Sequence, residues 1–268
     1  ILAHNLRADL TGQQRRAFHP QRDFLKLISL GQKQALAEKA GIKAVPTGID
    51  HGTVTLVHGG TPFEITTFRA DVETDGRRAV VRFADTVEED ARRRDFTMNA
   101  LYADRRGAVL DPLGGLPDLH ARRVRFIEDA ETRIREDYLR TLRFFRFSAW
   151  YGDPAEGMDA EALSAIAVTL DGLSTLSRER VGSEVLKLLA APDPVMAVSV
   201  MAQTGVLAQI LPGASPRALG PLMMAEQALE LHADPIRRLA ATGFREGAAL
   251  RLSKNDSRAL EVLSDLTE

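Results

Sequence analysis

The chain has 268 residues, of which 44% are hydrophobic and 27% charged, with a formal net charge of −2 and no cysteine. These values are typical of a soluble globular protein that can bury a core, and they do not by themselves indicate a nucleic-acid partner. The lack of cysteine excludes disulfides and thiolate metal sites. With no signal peptide and no long apolar run, the sequence favours a cytoplasmic protein without membrane spans. Because the chain starts at Ile1 rather than Met, we expect a fragment or a processed form.

The N-terminal part of the chain predicts a mixed α/β unit. Residues 1 to about 30 show no convincing period, and a helix is predicted over 32–40, ended by Gly41. Two runs rich in β-branched residues, 52–58 and 62–68, are separated by Gly59-Gly60, which is typical of a hairpin. The sequence then predicts, in chain order, a strand at 79–83, a helix at 88–102, and a strand at 107–110 that enters a turn at 111–115.

From about residue 130 onward the pattern is helical. Ile134, Tyr138, Leu142, Phe145 and Ala149 recur at three- and four-residue spacing, which predicts one apolar stripe on one helix. The aromatic residues in this stretch are therefore assigned to the core; they lie at 144, 145, 147, 150 and 151. Further helices are predicted near 159–169, 178–190, 194–203, 216–232, 235–241 and 256–266. The predicted fold class is α+β, with a small mixed α/β head (1–120), an all-α neck (121–190) and an all-α body (191–268).

Arginine is concentrated in one part of the chain. Eight arginines lie at 122, 123, 125, 133, 135, 140, 143 and 146, and three more lie at 92–94. The planar guanidinium suits phosphates and base edges. A solvated helix surface with ion pairs explains the same count, so charge alone does not decide between the two interpretations.

Three segments carry a more specific signal when they are taken together. They are Arg93-Arg-Asp-Phe-Thr-Met-Asn-Ala-Leu-Tyr102, Asp111-Pro-Leu-Gly-Gly-Leu-Pro-Asp-Leu119 and Arg135-Glu-Asp-Tyr-Leu-Arg-Thr-Leu-Arg-Phe-Phe-Arg-Phe147. In this order and at this spacing they resemble the successive motifs of class II tRNA nucleotidyltransferases (CCA-adding enzymes) and bacterial poly(A) polymerases. The resemblance runs from roughly residue 40 to residue 151, and residues 1–40 are unlike the family.

The resemblance implies template-independent addition of CMP and AMP to the 3′ end of tRNA, with CTP and ATP as substrates. The segments 136–140 and 149–152 look more like CCA-adding enzymes than like poly(A) polymerases. A poly(A) polymerase remains the alternative within the family. A catalytically degenerate nucleotide- or RNA-binding protein remains the alternative outside it, and the oligomeric state stays open.

The third segment has the chemistry to select a base. Asp137, Arg140, Arg143 and Arg146 step by three, which predicts one ridge on a helix. A carboxylate can accept from the amino group of cytosine or adenine, and a guanidinium can donate to a ring nitrogen or carbonyl, so the pair can read a base edge without a template. The resemblance gives this role to Asp137 and Arg140, and makes Arg143 and Arg146 further nucleotide contacts. Ion pairs of Arg140 with Glu136 and Asp137 on a solvated helix are the alternative.

The first segment contributes three more candidates for nucleotide binding. The resemblance makes Arg94 a nucleotide contact, while Asp95 and Asn99, four residues apart on the predicted helix, orient that arginine or the sugar. Helix capping and packing are the alternative for both Asp95 and Asn99, and they explain Asn99 equally well.

Two further groups of residues are assigned to structure. Asp111 and the Gly114-Gly115 pair are interpreted as a tight turn. Arg178 and Arg180 resemble the last motif of the family, a helix start that braces the site.

The resemblance also implies two Mg²⁺ ions, held by an Asp-x-Asp pair and a carboxylate on a neighbouring strand. Glu64 matches that neighbouring carboxylate and is the candidate catalytic and metal-binding residue. Residues 1–40 contain neither an Asp-x-Asp pair nor the Gly-Gly-x-x-Arg turn of the family. We therefore expect nucleotide selection to be retained and transfer to be impaired. A frameshift, true divergence or a segment outside the chain would each explain the missing strand.

Overall fold

The computed structural model describes residues 30–48, 52–71, 81–104 and 106–265. They divide into two compact units: a head unit of the described residues up to Arg94 with Asn99–Leu116, and a helical unit of Asp95–Met98 with the described residues from Pro117 onward. The sequence of residues 1 to about 30 shows no regular period, and residues 1–29 of this stretch lie outside the described ranges. Residues 79 and 80 of a predicted strand lie outside them as well. Within the described ranges, no helix is long and apolar enough to cross a membrane.

The head unit begins with a helix that packs on a three-stranded antiparallel sheet. The elements are α1 (Leu30–Lys39), β1 (Lys43–Gly48), β2 (Thr53–His58) and β3 (Thr61–Thr66), in the sheet order β1-β2-β3. The predicted hairpin is confirmed: His58 pairs with Thr61, and both Gly59 and Gly60 have positive φ, as a tight two-residue turn requires. Strand β1 was not predicted. Alternation along β2 buries Val54 and Leu56 against Ala37 of α1.

The rest of the head unit consists of short elements. They are β4 (Arg69–Asp71), β5 (Val81–Phe83), α2 (Val87–Arg92), β6 (Tyr102–Ala103) and β7 (Val109–Leu110), with β4–β5 and β6–β7 paired antiparallel. The helix predicted over 88–102 is therefore wrong beyond Arg92. Phe96 is fully buried and forms a β-bridge with Phe126, a contact distant in sequence that draws the chain out of helical geometry. A single 3₁₀ turn follows at Thr97–Asn99.

From Leu116 onward the chain is helical. The helices are α3 (Leu116–His120), α4 (Ala130–Glu136), α5 (Leu139–Tyr151), α6 (Ala160–Val168), α7 (Arg178–Leu189), α8 (Val195–Gln203), α9 (Val206–Ile210), α10 (Leu219–Ala228), α11 (Pro235–Ala241) and α12 (Lys254–Asp265). The α+β class is confirmed, and the predicted helices from residue 159 onward recur with small shifts, the largest being the shortening of 216–232 to α10. The division into neck and body stays a prediction.

The helix predicted through residues 134–149 is broken at Asp137. This residue has extended backbone geometry (φ −155°, ψ 102°), and its carboxylate accepts a hydrogen bond from the N–H of Leu139, the first residue of α5. An Asp side chain that bonds to nearby backbone competes with helix continuation, which explains the break. Ile134, Leu142 and Phe145 of the predicted stripe are buried all the same.

The aromatic residues of α5 do not all lie in the core. Phe144 and Phe145 are fully buried, as predicted, in a cluster with Phe96. Trp150 and Tyr151 are 39% and 46% exposed, so their assignment to the core is wrong. The indole N–H of Trp150 donates to a backbone carbonyl of α7, which places the ring at the end of the helix pair rather than inside it.

A buried arginine closes the C-terminal end of α7. Arg238 of α11 is 3% exposed and donates from Nη1 to the carbonyl oxygens of Leu189 and Ala191, at 2.7 Å each. Its Nε and Nη2 donate to Glu226 of α10, at 3.0 and 2.8 Å. The arginine thus satisfies carbonyls that the helix end leaves open, and the carboxylate neutralises its charge.

A buried carboxylate links three elements of the head unit. Asp90 of α2 is 4% exposed and accepts hydrogen bonds from the backbone N–H of Arg69 (2.9 Å) and the hydroxyl of Tyr102 (2.8 Å). The guanidinium groups of Arg93 and Arg94 also donate to it. Burial opposes ionisation, but these hydrogen bonds and charges outweigh it and lower the pKa of Asp90 below its ordinary value of 3.8.

Replacing the buried arginine tests how much its pairing stabilises the fold. Arg238→Met removes the donor of two buried carbonyls and one of the two guanidinium partners of Glu226, the other being Arg237 at 2.9 Å, so we expect the free energy of unfolding to fall by about 3–5 kcal/mol in urea titrations. The control is Arg251→Met, because Arg251 and Glu179 form an exposed ion pair (64% and 63%). Such pairs contribute about 0–1 kcal/mol. Equal losses in the two variants would contradict the stabilising role of Arg238.

Acid titration tests the ionised state of Asp90. Because its pKa is lowered in the folded protein, its stabilisation is present above the ordinary value of 3.8 and is lost as pH falls through the lower, folded value. We expect Asp90→Asn to be less stable than the wild type at about pH 7, by roughly 1.5–3 kcal/mol. The difference should shrink below about pH 4. Urea unfolding as a function of pH measures both, with exposed Glu38→Gln as control; a difference independent of pH would refute the assignment.

Candidate functional site

Arg94 lies just after α2, and its guanidinium is held on one side. Nε and Nη2 donate to Asp90 at 3.2 and 3.1 Å, Nε also donates to the Tyr102 hydroxyl at 3.1 Å, and Nη1 donates to the carbonyl of Asn99 at 3.3 Å. The guanidinium carbon lies 5.0 Å from the centre of the Tyr102 ring. The side chain is still 38% exposed, so a fixed cation is offered at the surface.

Two partners of Arg94 were missed by the sequence analysis. Burial disfavours the charge of Arg94, but Tyr102 and Asp90 outweigh it and raise the pKa of this arginine. Burial, reinforced by the negative charge of Asp90, also raises the pKa of the Tyr102 phenol, which therefore keeps the proton that it donates to Asp90. The spacing of four residues between Asp90 and Arg94 was the one local signal for this pairing.

Glu64 lies on the exposed face of β3, directly opposite Thr55. This face carries threonines that bond to one another, at 2.8 Å for Thr47–Thr55 and 3.0 Å for Thr53–Thr66. Nη2 of Arg69 donates to Thr53 at 2.7 Å. Burial and the charge of Arg93 lower the pKa of Arg69, against the opposing effect of the carboxylates of Asp90 and Glu64.

The described residues do not form a metal site around Glu64. Within them, no group of three or more His, Asp or Glu residues is arranged to hold a metal ion. Glu64 is a single carboxylate beside threonine hydroxyls, whereas a two-ion site needs several carboxylates. The donor set on these strands therefore does not fit the implied pair of Mg²⁺ ions.

Asp95 and Asn99 do not share a helix face, contrary to the prediction. Asp95 is 4% exposed in the helical unit, where Oδ2 accepts from Nε and Nη2 of Arg143, at 2.6 and 2.5 Å. Its Oδ1 accepts from the N–H of Phe96 at 2.9 Å. Asn99 ends the 3₁₀ turn in the head unit and contacts Arg94 through its backbone carbonyl. The error follows from the helix that was wrongly extended through this stretch.

Asp137 is fixed by two donors, one on each carboxylate oxygen. Oδ1 accepts from the N–H of Leu139 at 3.1 Å, and Oδ2 accepts from Nη2 of Arg180 on α7 at 2.6 Å. The side chains of Asp137 and Arg180 are 34% and 49% exposed, so the pair presents an acceptor and a donor at the surface. Arg180 thus contacts the residue expected to read the base, while Arg178 is exposed at the start of α7.

The three arginines of α5 each pair with a different carboxylate. Arg140 pairs with Glu136 and donates to the carbonyl of Arg133; Arg143 pairs with Asp95; and Arg146 donates to buried Glu184 at 2.6 Å. Their side chains are 13%, 29% and 14% exposed, in that order.

The single ridge predicted for the third segment is wrong at its first member, because Asp137 precedes α5. The predicted ion pair of Glu136 with Arg140 is present, and the side chain of Asp137 pairs with Arg180. Asp137 and Arg140 remain neighbours, since the N–H of Arg140 donates to the carbonyl of Asp137 at 2.9 Å.

The turn after β7 is built as predicted. The Asp111 carboxylate accepts from the N–H groups of Gly115 (2.7 Å) and Leu116 (3.0 Å), and Gly114 adopts positive φ. These contacts support the structural role assigned to the residues.

Curated relatives share substantial sequence identity with the chain. It is 41% identical over 168 residues to the human mitochondrial CCA tRNA nucleotidyltransferase 1, and the aligned segment covers 62% of this chain and 39% of the relative. It is 40% identical over 173 residues to the CCA-adding enzyme of Geobacillus thermodenitrificans, and the aligned segment covers 64% of this chain and 42% of the relative. The chain thus spans about two fifths of the length of these relatives.

Solved structures share the fold. The crystal structure of the Bacillus stearothermophilus CCA-adding enzyme in complex with CTP matches with a TM-score of 0.65 at 30% identity, covering 84% of this chain and 57% of that one. A Thermotoga maritima CCA-adding enzyme complexed with tRNA matches with a TM-score of 0.66 at 18% identity, covering 89% and 59%. The second likeness concerns the fold alone.

Two family models match adjoining parts of the chain. Residues 23–125 match the one described as the Poly A polymerase head domain, and residues 157–217 match the one described as the probable RNA and SrmB-binding site of polymerase A. The first match begins earlier than residue 40, where the resemblance was placed. Together with the relatives and the shared fold, these matches show that the chain belongs to the family of class II tRNA nucleotidyltransferases and bacterial poly(A) polymerases.

Proposed function

We propose that this protein is a nucleotidyltransferase that binds CTP and ATP and acts in the template-independent addition of CMP and AMP to the 3′ end of tRNA. The observation that carries the proposal is the carboxylate of Asp137, which is partly exposed and is fixed by the guanidinium of Arg180 and the N–H of Leu139. Relatives at about 40% identity named for CCA addition, and the solved relative bound to CTP, support it.

Base selection is assigned to Asp137 and Arg140. Each oxygen of Asp137 accepts one bond within the protein and keeps a second lone pair for the amino group of cytosine or adenine. Arg180 holds the carboxylate in one orientation, which lowers the entropy cost of binding. Arg140 follows Asp137 by three residues and supplies the donor groups for the neighbouring ring atoms.

The remaining arginines are proposed as contacts of the incoming nucleotide. Arg143 and Arg146 are oriented by Asp95 and Glu184, and each lies over the ring of Phe147, at 5.4 and 4.6 Å. A guanidinium held in this way keeps donors for phosphate or sugar oxygens without having to be ordered on binding.

In the head unit, Arg94 is the proposed nucleotide contact. Asn99 supports it through a backbone carbonyl, and Asp90 through its carboxylate. Asp95, proposed from the sequence to orient the same arginine, acts in this scheme through Arg143.

Fewer residues of this chain support the transfer step than support nucleotide selection. The family's reaction is metal-dependent, and Mg²⁺ is the ion that we propose, with Glu64 as a candidate ligand. The described residues do not fit a two-ion site, and residues 1–40 of the sequence lack an Asp-x-Asp pair. No transfer step therefore follows from the described residues. We propose that this chain selects nucleotides but transfers them poorly.

A CCA-adding function is favoured over a poly(A) polymerase by the names of the relatives and by the solved CTP complex. A degenerate binding protein differs from both in forming no product.

The lack of cysteine supports our proposal of a cytoplasmic location, although the human relative is named as mitochondrial.

Nucleotide binding tests the role of Asp137. Asp137→Asn removes the negative charge and keeps the shape, so we expect the Kd for CTP and ATP to rise by roughly 5- to 100-fold, because a good base contact contributes about 1–3 kcal/mol of discrimination. Isothermal titration calorimetry measures this, with exposed Asp171→Asn as the matched control. Unchanged affinity in Asp137→Asn would remove this residue from the site.

Incorporation of labelled CTP tests the proposed weakness of transfer. We expect the chain to extend a tRNA lacking its CCA end several orders of magnitude more slowly than the Geobacillus thermodenitrificans relative at equal concentration, because the metal-binding pair is absent from residues 1–40. Binding of CTP without any product would favour the degenerate protein. Rates within about tenfold of the relative would show that the missing strand is not needed.

A further inference from the structure

The last turn of α5 exposes two adjacent aromatic side chains. Trp150 is 39% exposed and Tyr151 is 46% exposed, although Phe144 and Phe145 on the same helix are fully buried. Large aromatic surface that is left open on a protein commonly marks a binding surface. None of the proposed nucleotide contacts includes either residue.

Both rings are held in place. The indole N–H of Trp150 donates to the carbonyl of Lys187 at 2.8 Å, and the ring of Tyr151 packs edge-on against Phe147 with centres 5.4 Å apart. Since the indole has a single donor and this bond uses it, the exposed part of the ring offers stacking and apolar contact. A ring that is already oriented loses little entropy when a partner stacks on it.

Cationic groups flank the two rings. Lys187, on the last turn of α7, has a 57% exposed side chain. Arg122 is exposed and donates to the carbonyls of Tyr151 and Gly152, at 3.3 and 2.8 Å. Exposed aromatic rings beside cations are the combination that binds unpaired nucleic acid, since bases stack on the rings and phosphates pair with the cations.

The carboxylate nearest to Lys187 does not cancel this charge. Glu184 is 5% exposed and binds Nε of Arg146 at 2.6 Å, while Nζ of Lys187 lies 3.6 Å from its other oxygen. One carboxylate is thus shared by two cations, and Lys187 remains largely in solvent.

The surface continues from the proposed base-reading residues. Contacts of Asp137 with Arg180, of Arg146 with Glu184 and of Trp150 with Lys187 show that α5 and α7 run side by side in the same direction. Trp150 therefore lies about 20 Å along the helices from Asp137, at 1.5 Å per residue. Helix α7 also falls within residues 157–217, which match the RNA-binding family model.

We propose that Trp150, Tyr151, Lys187 and Arg122 form an RNA-contact surface on which an unpaired nucleotide of the tRNA substrate stacks. This inference rests on the proposed function, because it names a further contact of the same substrate. Trp150 supplies the stacking face, and Lys187 and Arg122 pair with the flanking phosphates.

The experiment uses the fact that Trp150 is the single tryptophan of the chain. Titration with tRNA should quench its fluorescence, whereas CTP alone should not. In anisotropy titrations with labelled tRNA, Trp150→Ala should raise the Kd roughly 5- to 100-fold, and Trp150→Phe should retain most of the affinity because it keeps a stacking ring. Lys187→Gln should lower the salt dependence of binding by about one phosphate contact.

The controls separate this inference from the proposed function. Trp150→Ala should leave the Kd for CTP unchanged and should keep a single cooperative urea transition, at a lower midpoint because part of the indole is buried, which excludes misfolding. If tRNA binds without quenching, and equally well to Trp150→Ala, the surface is overturned while the proposed function stands. If CTP does not bind but tRNA still quenches Trp150 and binds more weakly to Trp150→Ala, the proposed function fails and the surface stands. Absence of every one of these signals overturns both.

Discussion

Guanidinium groups held by carboxylates organise both units of this protein. Arg94 is held by Asp90 in the head unit, and Arg143 by Asp95 in the helical unit. Desolvation offsets part of the attraction in such pairs, although in the pair of Asp90 and Arg94 the hydrogen bonds and charges outweigh it. Their effect is geometric: every arginine considered for nucleotide binding is already bonded to a carboxylate on one side and points in a defined direction.

The fixed orientation of these side chains suits the selection of a nucleotide but does not supply what its transfer requires. Fixed donors and acceptors can discriminate bases by geometry, and they do so without any change in protonation or metal content. Transfer has different requirements, since the charge of a triphosphate and the poor acidity of a ribose hydroxyl call for metal ions. The described residues provide the first set of groups and not the second, with Glu64 as a single exposed carboxylate on a threonine-rich sheet face.

Local patterns predicted the elements that depend on local interactions. The hairpin at Gly59-Gly60 and the start of α7 at Arg178 follow from turn glycines and from a serine cap at Ser177. The errors arose where contacts distant in sequence decide. The bridge between Phe96 and Phe126 ended a helix that propensity would have continued.

The candidate site shows the same division. The sequence indicated which residues are candidates for nucleotide binding, because motif order and residue type are local. It could not indicate their partners: Arg143 binds a carboxylate 48 positions away, and Asp137 binds a guanidinium 43 positions away. Trp150 was assigned to the core together with the other aromatic residues of its helix, whereas its exposure depends on where α7 ends.

The capping of α7 by Arg238 bears on how the helical unit can be dissected. The carbonyls of Leu189 and Ala191 take their donor from a residue nearly fifty positions later in the chain. A shortened protein that stopped before α11 would leave this helix end open, and fraying would begin next to Lys187, whose carbonyl orients the indole of Trp150. The boundaries of any fragment made from this chain therefore decide more than which helices it contains, since they determine whether its RNA-facing aromatic surface keeps a fixed shape.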